Sequence, residues 1–235
     1  MTVLRLNHGK VNALDLDLLR AITGAVGDAR PEAAVVITGA GSTFCAGVDL
    51  ASIAEGGEPY VREFLPALSE MFLAVFGHPG PTLAAVNGHA IAGGCVLAAA
   101  CDIRVMARGR IGLTELAVGV PFPAAALEIM RHAVGPAAST LVLTSELLEA
   151  PGAQSIGLVQ AIEAPDALLE SVITRAQAMM RIESGVFSFT KRQLQRPVRE
   201  RLAAAAGDED AVLAAWTSNR TREKVAGYLD ALGKR

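Results

Sequence analysis

Aromatic side chains are scarce in this chain, only 4% of 235 residues, so its core must be built from aliphatic packing. Cysteine is scarcer still. Cys45, Cys95 and Cys101 form no CxxC and are odd in number, which suits neither a disulfide framework nor a thiolate metal site. They read as small buried residues of a reducing compartment. An excess of one charge is also lacking: 21 Lys and Arg against 24 Asp and Glu leave a formal net charge of −3, with no basic stripe for nucleic acid. The apolar runs are broken by Gly, Asn or Asp before they reach bilayer length, which argues against a membrane partner. Met1 leads into the alternation Val3, Leu4, Arg5, Leu6 rather than a basic start and an apolar stretch. No export signal is therefore expected, and the cytoplasm is the expected location.

What the chain has is aliphatic bulk: 51% of it is hydrophobic. Residues 2–7 read as a short strand, and 33–38, 82–87 and 102–107 as buried parallel strands, since each is a short continuous apolar run. Between them lie helical patterns. Asp15 is placed to cap a helix running to about Gly27, and residues 60–76 put Val61, Phe64, Leu65, Leu68, Phe72, Val75 and Phe76 on one side. Residues 94–101 form a small-residue helix. This alternation predicts an α/β protein with a parallel sheet and crossover helices. After Pro121 helices dominate, at 124–132, 137–143 and 151–156, with a last short strand at 158–162. Everything from 166 onward is helical in pattern, interrupted at Gly185, Pro197 and Gly207. The expected organisation is a core over 1–165 and an all-helical extension over 166–235.

Two stretches carry the chemistry. Thr38-Gly39-Ala40-Gly41-Ser42-Thr43-Phe44-Cys45-Ala46-Gly47-Val48-Asp49-Leu50 and Ala84-Ala85-Val86-Asn87-Gly88-His89-Ala90-Ile91-Ala92-Gly93-Gly94-Cys95 each break from an apolar run into small residues and lead into a helix. Small residues let backbone N–H groups come close to a ligand. Two converging amides are what a developing oxyanion needs. Read alone, the first stretch could be a tight strand-to-helix turn. A dinucleotide fingerprint fits worse, because the third glycine is misplaced and no acidic residue ends a following strand at the usual distance.

Together, in this order, the two stretches resemble the crotonase (enoyl-CoA hydratase/isomerase) superfamily. The similarity extends over most of the chain, through Cys101-Asp102-Ile103-Arg104-Val105 to the pattern Ser218, Glu223, Tyr228-Leu229. It implies the crotonase fold, a ββα spiral of parallel sheet and crossover helices ending in the helical extension. It also implies an acyl-CoA thioester as substrate, whose carbonyl would accept from the backbone N–H groups of Val48 and Gly93. Coenzyme A would then be part of the substrate, and no separate cofactor or metal is expected.

The resemblance becomes selective at the carboxylates. Hydratases of the family hold a water between two glutamates. The first would stand where this chain has Val96; the second is present as Glu115 in Ile111-Gly112-Leu113-Thr114-Glu115. This motif, and the following Leu116-Ala117-Val118-Gly119-Val120-Pro121-Phe122, look like the mitochondrial-type Δ3–Δ2 enoyl-CoA isomerases. Adding water calls for a base and an acid, whereas moving a double bond asks one carboxylate to take a proton from C2 and return it at C4. The implied activity is thus an isomerase with Glu115 as shuttle. The alternatives are a hydratase, a non-catalytic acyl-CoA binder, and a Glu115 that is simply a solvated helix-start carboxylate. His78 and His89 read as structural, and Asp102 as a cap or packing partner.

For the coenzyme A moiety the resemblance points to Lys10, Ala13, Ala46, Asp49 and Leu50. Phe122 is expected in the acyl pocket wall, with Leu116. Relatives place an aromatic and, three residues later, a lysine on the last helix; here these are Tyr228 and Ala231, with Lys234 as a substitute cation. The family assembles as trimers or dimers of trimers. Apolar positions at Trp216, Val225, Tyr228 and Leu229 are spaced for a partner surface, and a homotrimer is expected.

Overall fold

A computed structural model describes residues 1–205 and 207–233. Five parallel strands form the large sheet: β1 (Thr2–Leu6), β2 (Val35–Gly39), β4 (Thr82–Val86), β6 (Ile103–Met106) and β9 (Ala161–Ile162), paired in the order β1-β2-β4-β6-β9. A second sheet is made of three-residue strands, β3 (Thr43–Cys45), β5 (His89–Ile91), β7 (Arg110–Gly112) and β8 (Leu147–Glu149), in the order β3-β5-β7-β8. Only the β7–β8 pair of it is antiparallel. The chain therefore repeats one step: a strand in the large sheet, a turn, a strand in the small sheet, then a helix back. The helices of this part are α1 (Leu16–Gly27), α2 (Leu50–Gly77), α3 (Gly93–Ala99), α4 (Glu115–Val118), α5 (Ala124–Val134), α6 (Ala137–Thr144) and α7 (Ala150–Ser155). Then follow α8 (Leu168–Met179), α9 (Ser184–Ala204), α10 (Glu209–Thr217) and α11 (Asn219–Gly233).

The inner strands β2 and β4 of the large sheet are buried on both faces, which is why they read as unbroken apolar runs. Val35, Ile37, Ala84 and Val86 face a core shared with α1, α2, α3 and α5. Their neighbours Ala34, Val36, Leu83 and Ala85 face the other way and pack on Leu168, Val172 and Ala176 of α8. Asp15 caps α1 as its position suggests, accepting from the Leu18 amide at 2.8 Å. The seven apolar residues expected on one side of the 60–76 helix are all buried.

Several expectations need correction. The small sheet was not foreseen, because strands of three residues are too short to show a period. The helix expected from Tyr60 starts at Leu50, capped by Asp49, and bends at Gly57, where φ is 60°. Pro197 does not interrupt α9. Pro197 and Gln193 are both exposed, so water can take the carbonyl that the proline leaves without a donor. Gly185 likewise lies in the first turn of α9, where Glu183 accepts from its amide and that of Val186. Trp216 and Val225 do not face outward. They are 3% and 1% exposed, because α10 and α11 fold back on α2 and α4. The Trp216 indole donates to the Pro121 carbonyl at 2.8 Å and its ring lies 6.5 Å from that of Phe64.

Helix α9 is strapped to the body by buried polar groups. Lys191 Nζ reaches Asp102 Oδ2 at 2.7 Å and the Gly80 carbonyl at 3.1 Å, while Asp102 also accepts from the Thr82 amide at 2.8 Å. Gln195 donates to the Phe76 carbonyl at 2.6 Å, and Arg201 pairs with the buried Glu128 of α5. Asp102 is thus the packing partner expected of it. His78, also buried, bonds the Ala33 carbonyl through Nε2 at 2.8 Å. Removing one member of a buried pair strands the other charge. Lys191→Met should therefore lower stability by about 3–5 kcal/mol in urea denaturation, and Lys191→Met with Asp102→Asn should lose less than the two single changes added together.

Candidate active site

The site begins where the two glycine stretches touch. At Gly88 a Cβ would sit 1.8 Å from the Ser42 carbonyl oxygen, and at Gly94 one would sit 2.2 Å from that of Cys45. No side chain fits at either place, so the loops meet backbone to backbone. Asn87 fixes the approach, accepting from the Gly39 amide at 2.9 Å and donating to the Gly41 carbonyl at 3.1 Å.

On this base the chain zips the 10–14 loop to the 46–49 loop. The Ala46 amide donates to Val11 at 3.1 Å, Leu14 to Gly47 at 2.8 Å and Asp49 to Leu14 at 2.9 Å. In this parallel bridge Leu14 uses both backbone groups on the residues flanking Val48, which leaves the Val48 N–H on the opposite side. Asn12 holds the loop from beneath. It is buried, in a left-handed conformation with φ 53°, and its amide donates to the Thr43 and Phe44 carbonyls, both at 3.1 Å. Sequence reasoning named the loop but missed Asn12 as its anchor; the tolerance of Asn for the left-handed conformation was the available signal.

Gly93 arrives from the other side. Ala92 precedes it with φ 52° and ψ −124°, a region that non-glycine residues rarely occupy and that costs on the order of 1–3 kcal/mol. The strain is held by the Ala92 amide, which donates to the Gly112 carbonyl at 2.8 Å. A Cβ at Gly93 would lie 3.8 Å from Val48 Cγ2, and one at Gly47 would lie 3.4 Å from the Gly93 nitrogen. The expected amide pair is therefore adjacent. Among the described residues, neither the Val48 nor the Gly93 amide donates to an acceptor within the chain. Both are free for a ligand.

Glu115 opens α4, three residues past the β7 strand whose Gly112 pairs with Ile91. Its Oε2 accepts from the Thr114 amide at 2.9 Å. Burial raises its pKa from the ordinary 4.5 to about 7, against the two amide bonds that favour the anion. Burial also raises the nearby Cys95 thiol, with the Glu115 charge adding to it. Val96, where a second carboxylate would stand, is 1% exposed and closed in by the core.

The other expected residues fall less tightly together. Ala13, Ala46 and Leu50 are half-buried around the zipped loops, and Asp49 caps α2 by accepting from the Ala51 and Ser52 amides. Phe122 is packed into the core while Leu116 is exposed. Lys10 and Tyr228 are exposed and make no side-chain hydrogen bond among the described residues. Lys234 lies outside the described residues. Helix α11 closes over α4: the Lys224 stem lies against Gly119, and the Thr221 hydroxyl, which donates to the Ala215 carbonyl at 2.7 Å, stands 3.4 Å from the Gly119 carbonyl oxygen.

Comparisons with known proteins identify the family and the fold. The family model described as enoyl-CoA hydratase/isomerase matches residues 1–233, and the chain belongs to that family, with the crotonase fold. A putative enoyl-CoA hydratase of Thermus thermophilus is 38% identical over 184 residues, 76% of this chain and 72% of the relative. A crotonyl-CoA hydratase of Syntrophomonas wolfei is 35% identical, covering 73% and 69%. Among solved structures, human mitochondrial Δ3-Δ2-enoyl-CoA isomerase superposes with a TM-score of 0.92 over 99% of this chain and 93% of that one. At 21% identity this shows the shared fold. Acyl-CoA thioesters are the substrates of the family, and no helix among the described residues is long and apolar enough to cross a membrane.

A carboxyl that titrates near 7 when folded and near 4.5 when unfolded binds more protons in the folded chain between those values, so it costs stability as pH rises through that window. Glu115→Gln should remove this loss, and at pH 8 it should unfold on the order of 2–3 kcal/mol later than wild type in urea titrations. If the anion is the reacting form, kcat/KM should climb about tenfold per unit below pH 7 and level off above it, as a pH–rate profile would show.

Proposed function

We propose that this chain is a Δ3–Δ2 enoyl-CoA isomerase. The observation that carries the reading is Glu115 beside Cys95 of the helix that Gly93 opens, with Val96 where a second carboxylate would be and, among the described residues, no acceptor on the Val48 and Gly93 amides. The thioester oxygen accepts from the Val48 and Gly93 N–H groups, which acidifies C2. Glu115, held near neutrality by burial, takes a proton from C2 and becomes a carboxylic acid. Negative charge spreads over a dienolate whose oxygen the two amides stabilise, a contribution of about 10²–10³ in rate per donor. The same acid then delivers its proton to C4, and the double bond ends at C2. A base poised near the working pH suits a step that must both accept and return a proton.

The second reading is hydration of a 2-enoyl-CoA, favoured by the names of the relatives from Thermus thermophilus and Syntrophomonas wolfei. Around the chemistry, Lys10, Ala13, Ala46, Asp49 and Leu50 would enclose coenzyme A, with Tyr228 at the edge and Phe122 behind the acyl wall. We assign the assembly as a homotrimer, alone or paired as a dimer of trimers. Sedimentation at micromolar concentration should give a mass near three or six chains.

Following conjugation of a 3-enoyl-CoA and loss of conjugation of a 2-enoyl-CoA separates the readings. Wild type should do the first and not the second. Glu115→Gln should keep acyl-CoA binding and lower kcat by about 10²–10⁴. Val96→Glu, if the core accepts the larger side chain, should raise hydration. Hydration by wild type would favour the second reading, and binding without either reaction would mark a non-catalytic acyl-CoA binder.

A further inference from the structure

A cavity of about 540 Å³ lies between α9, the end of α8, α5 and the start of β6, and Glu115 does not line it. Its polar side holds Asp102, Arg104, Lys191 and His132; its mouth is apolar, with Ile182, Val186 and Leu194 50%, 60% and 65% exposed. The volume lies in the range of small-molecule sites, which bury ligands against apolar walls with a few fixed polar groups.

Charge counting shows what this cavity lacks. Lys191 and Asp102 cancel as a pair at 2.7 Å. Burial lowers the His132 pKa and favours its neutral form, and the ring stands edge-on to Phe76 at 5.1 Å. Arg104 is left. It is 5% exposed, and among the described residues no carboxylate comes within 4.0 Å of it. Its Nε donates to the Leu158 carbonyl at 2.7 Å and its Nη1 to that of Cys101 at 2.6 Å, while Nη2 has no acceptor. No fully buried side-chain nitrogen or oxygen among the described residues lacks a partner, so Nη2 is not fully enclosed, and the cavity that Arg104 lines is the space beside it. One uncompensated cation thus faces a chamber with apolar walls. A buried guanidinium gains most from a carboxylate, through short charge-assisted bonds.

We propose that this cavity is a second binding site, for an amphipathic monocarboxylate such as a medium-chain fatty acid. The carboxylate would accept from Arg104 Nη2 and the tail would run out along Ile182, Val186 and Leu194. The proposal does not rest on the reaction assigned to Glu115.

Decanoate titrated into the full chain tests it, with affinity read by calorimetry and location by hydrogen exchange. One decanoate should bind per chain and slow exchange over residues 182–194. Leu194→Glu places a carboxylate at the mouth on an exposed position, so the fold should survive while affinity drops by at least about tenfold; decanol should bind weaker than decanoate by a similar factor. Arg104→Met should abolish binding, and if that variant does not fold, Leu194→Glu carries the test. Equal affinity in Leu194→Glu, or protection over 46–50 and 113–119 instead of 182–194, would overturn the proposal. So would absence of binding, and a Leu194→Glu chain that then sediments as a smaller assembly than wild type would show that a second copy closes the cavity.

Discussion

Everything in this molecule depends on backbones that touch where the chain crosses from one sheet to the other. The large sheet sets the spacing of β2, β4 and β6, and each strand turns into a member of the small sheet. At the turns the chains are closer than a Cβ allows, as at Gly88 against Ser42 and Gly94 against Cys45. Glycine at these crossings is therefore a steric requirement rather than a source of flexibility. Because the contacts are between main chains, they fix amide positions more rigidly than side-chain packing could. That rigidity is what a pair of oxyanion donors needs, since preorganised dipoles do not have to reorient as charge develops.

The site combines two opposite uses of burial. The Val48 and Gly93 amides have no acceptor among the described residues, and Ala92 adds backbone strain beside them. Glu115 is desolvated and so becomes a stronger base than an exposed glutamate. Strain at Ala92 and the buried Glu115 each destabilise the fold slightly, and together they are offset by an aliphatic core on both faces of β2 and β4. The sequence concentrates its irregularities where the chemistry would be and keeps its regularity elsewhere.

Much of this was legible in the residues. The strands at 33–38 and 82–87 could be read because a strand buried on both faces has no polar alternation to confuse it, and α1 because Asp15 precedes a helical stripe. The two glycine stretches that meet backbone to backbone were legible through motif, as local features of one chain segment each. What escaped was non-local. The three-residue strands take their identity from neighbours far along the chain, such as Thr43 beside His89 and Ile111 beside Leu148. Trp216 and Val225 looked like partner surface because nothing local says that α10 and α11 fold back. The chamber beside Arg104 is assembled from β6, α5, α8 and α9, and no spacing along the chain announces it.

The contact between α11 and α4 has a consequence in time. Thr221 and Gly119 are 102 residues apart in sequence, and α11 follows every other element of the described fold. A chain emerging from the ribosome can build both sheets, position its two amides and bury Phe122 before the helix that covers α4 has been made. Until then α4 lacks its outer layer and Gly119 lacks the Lys224 stem. Synthesis thus orders the assembly: α4 and Glu115 are made well before the helix that packs over them.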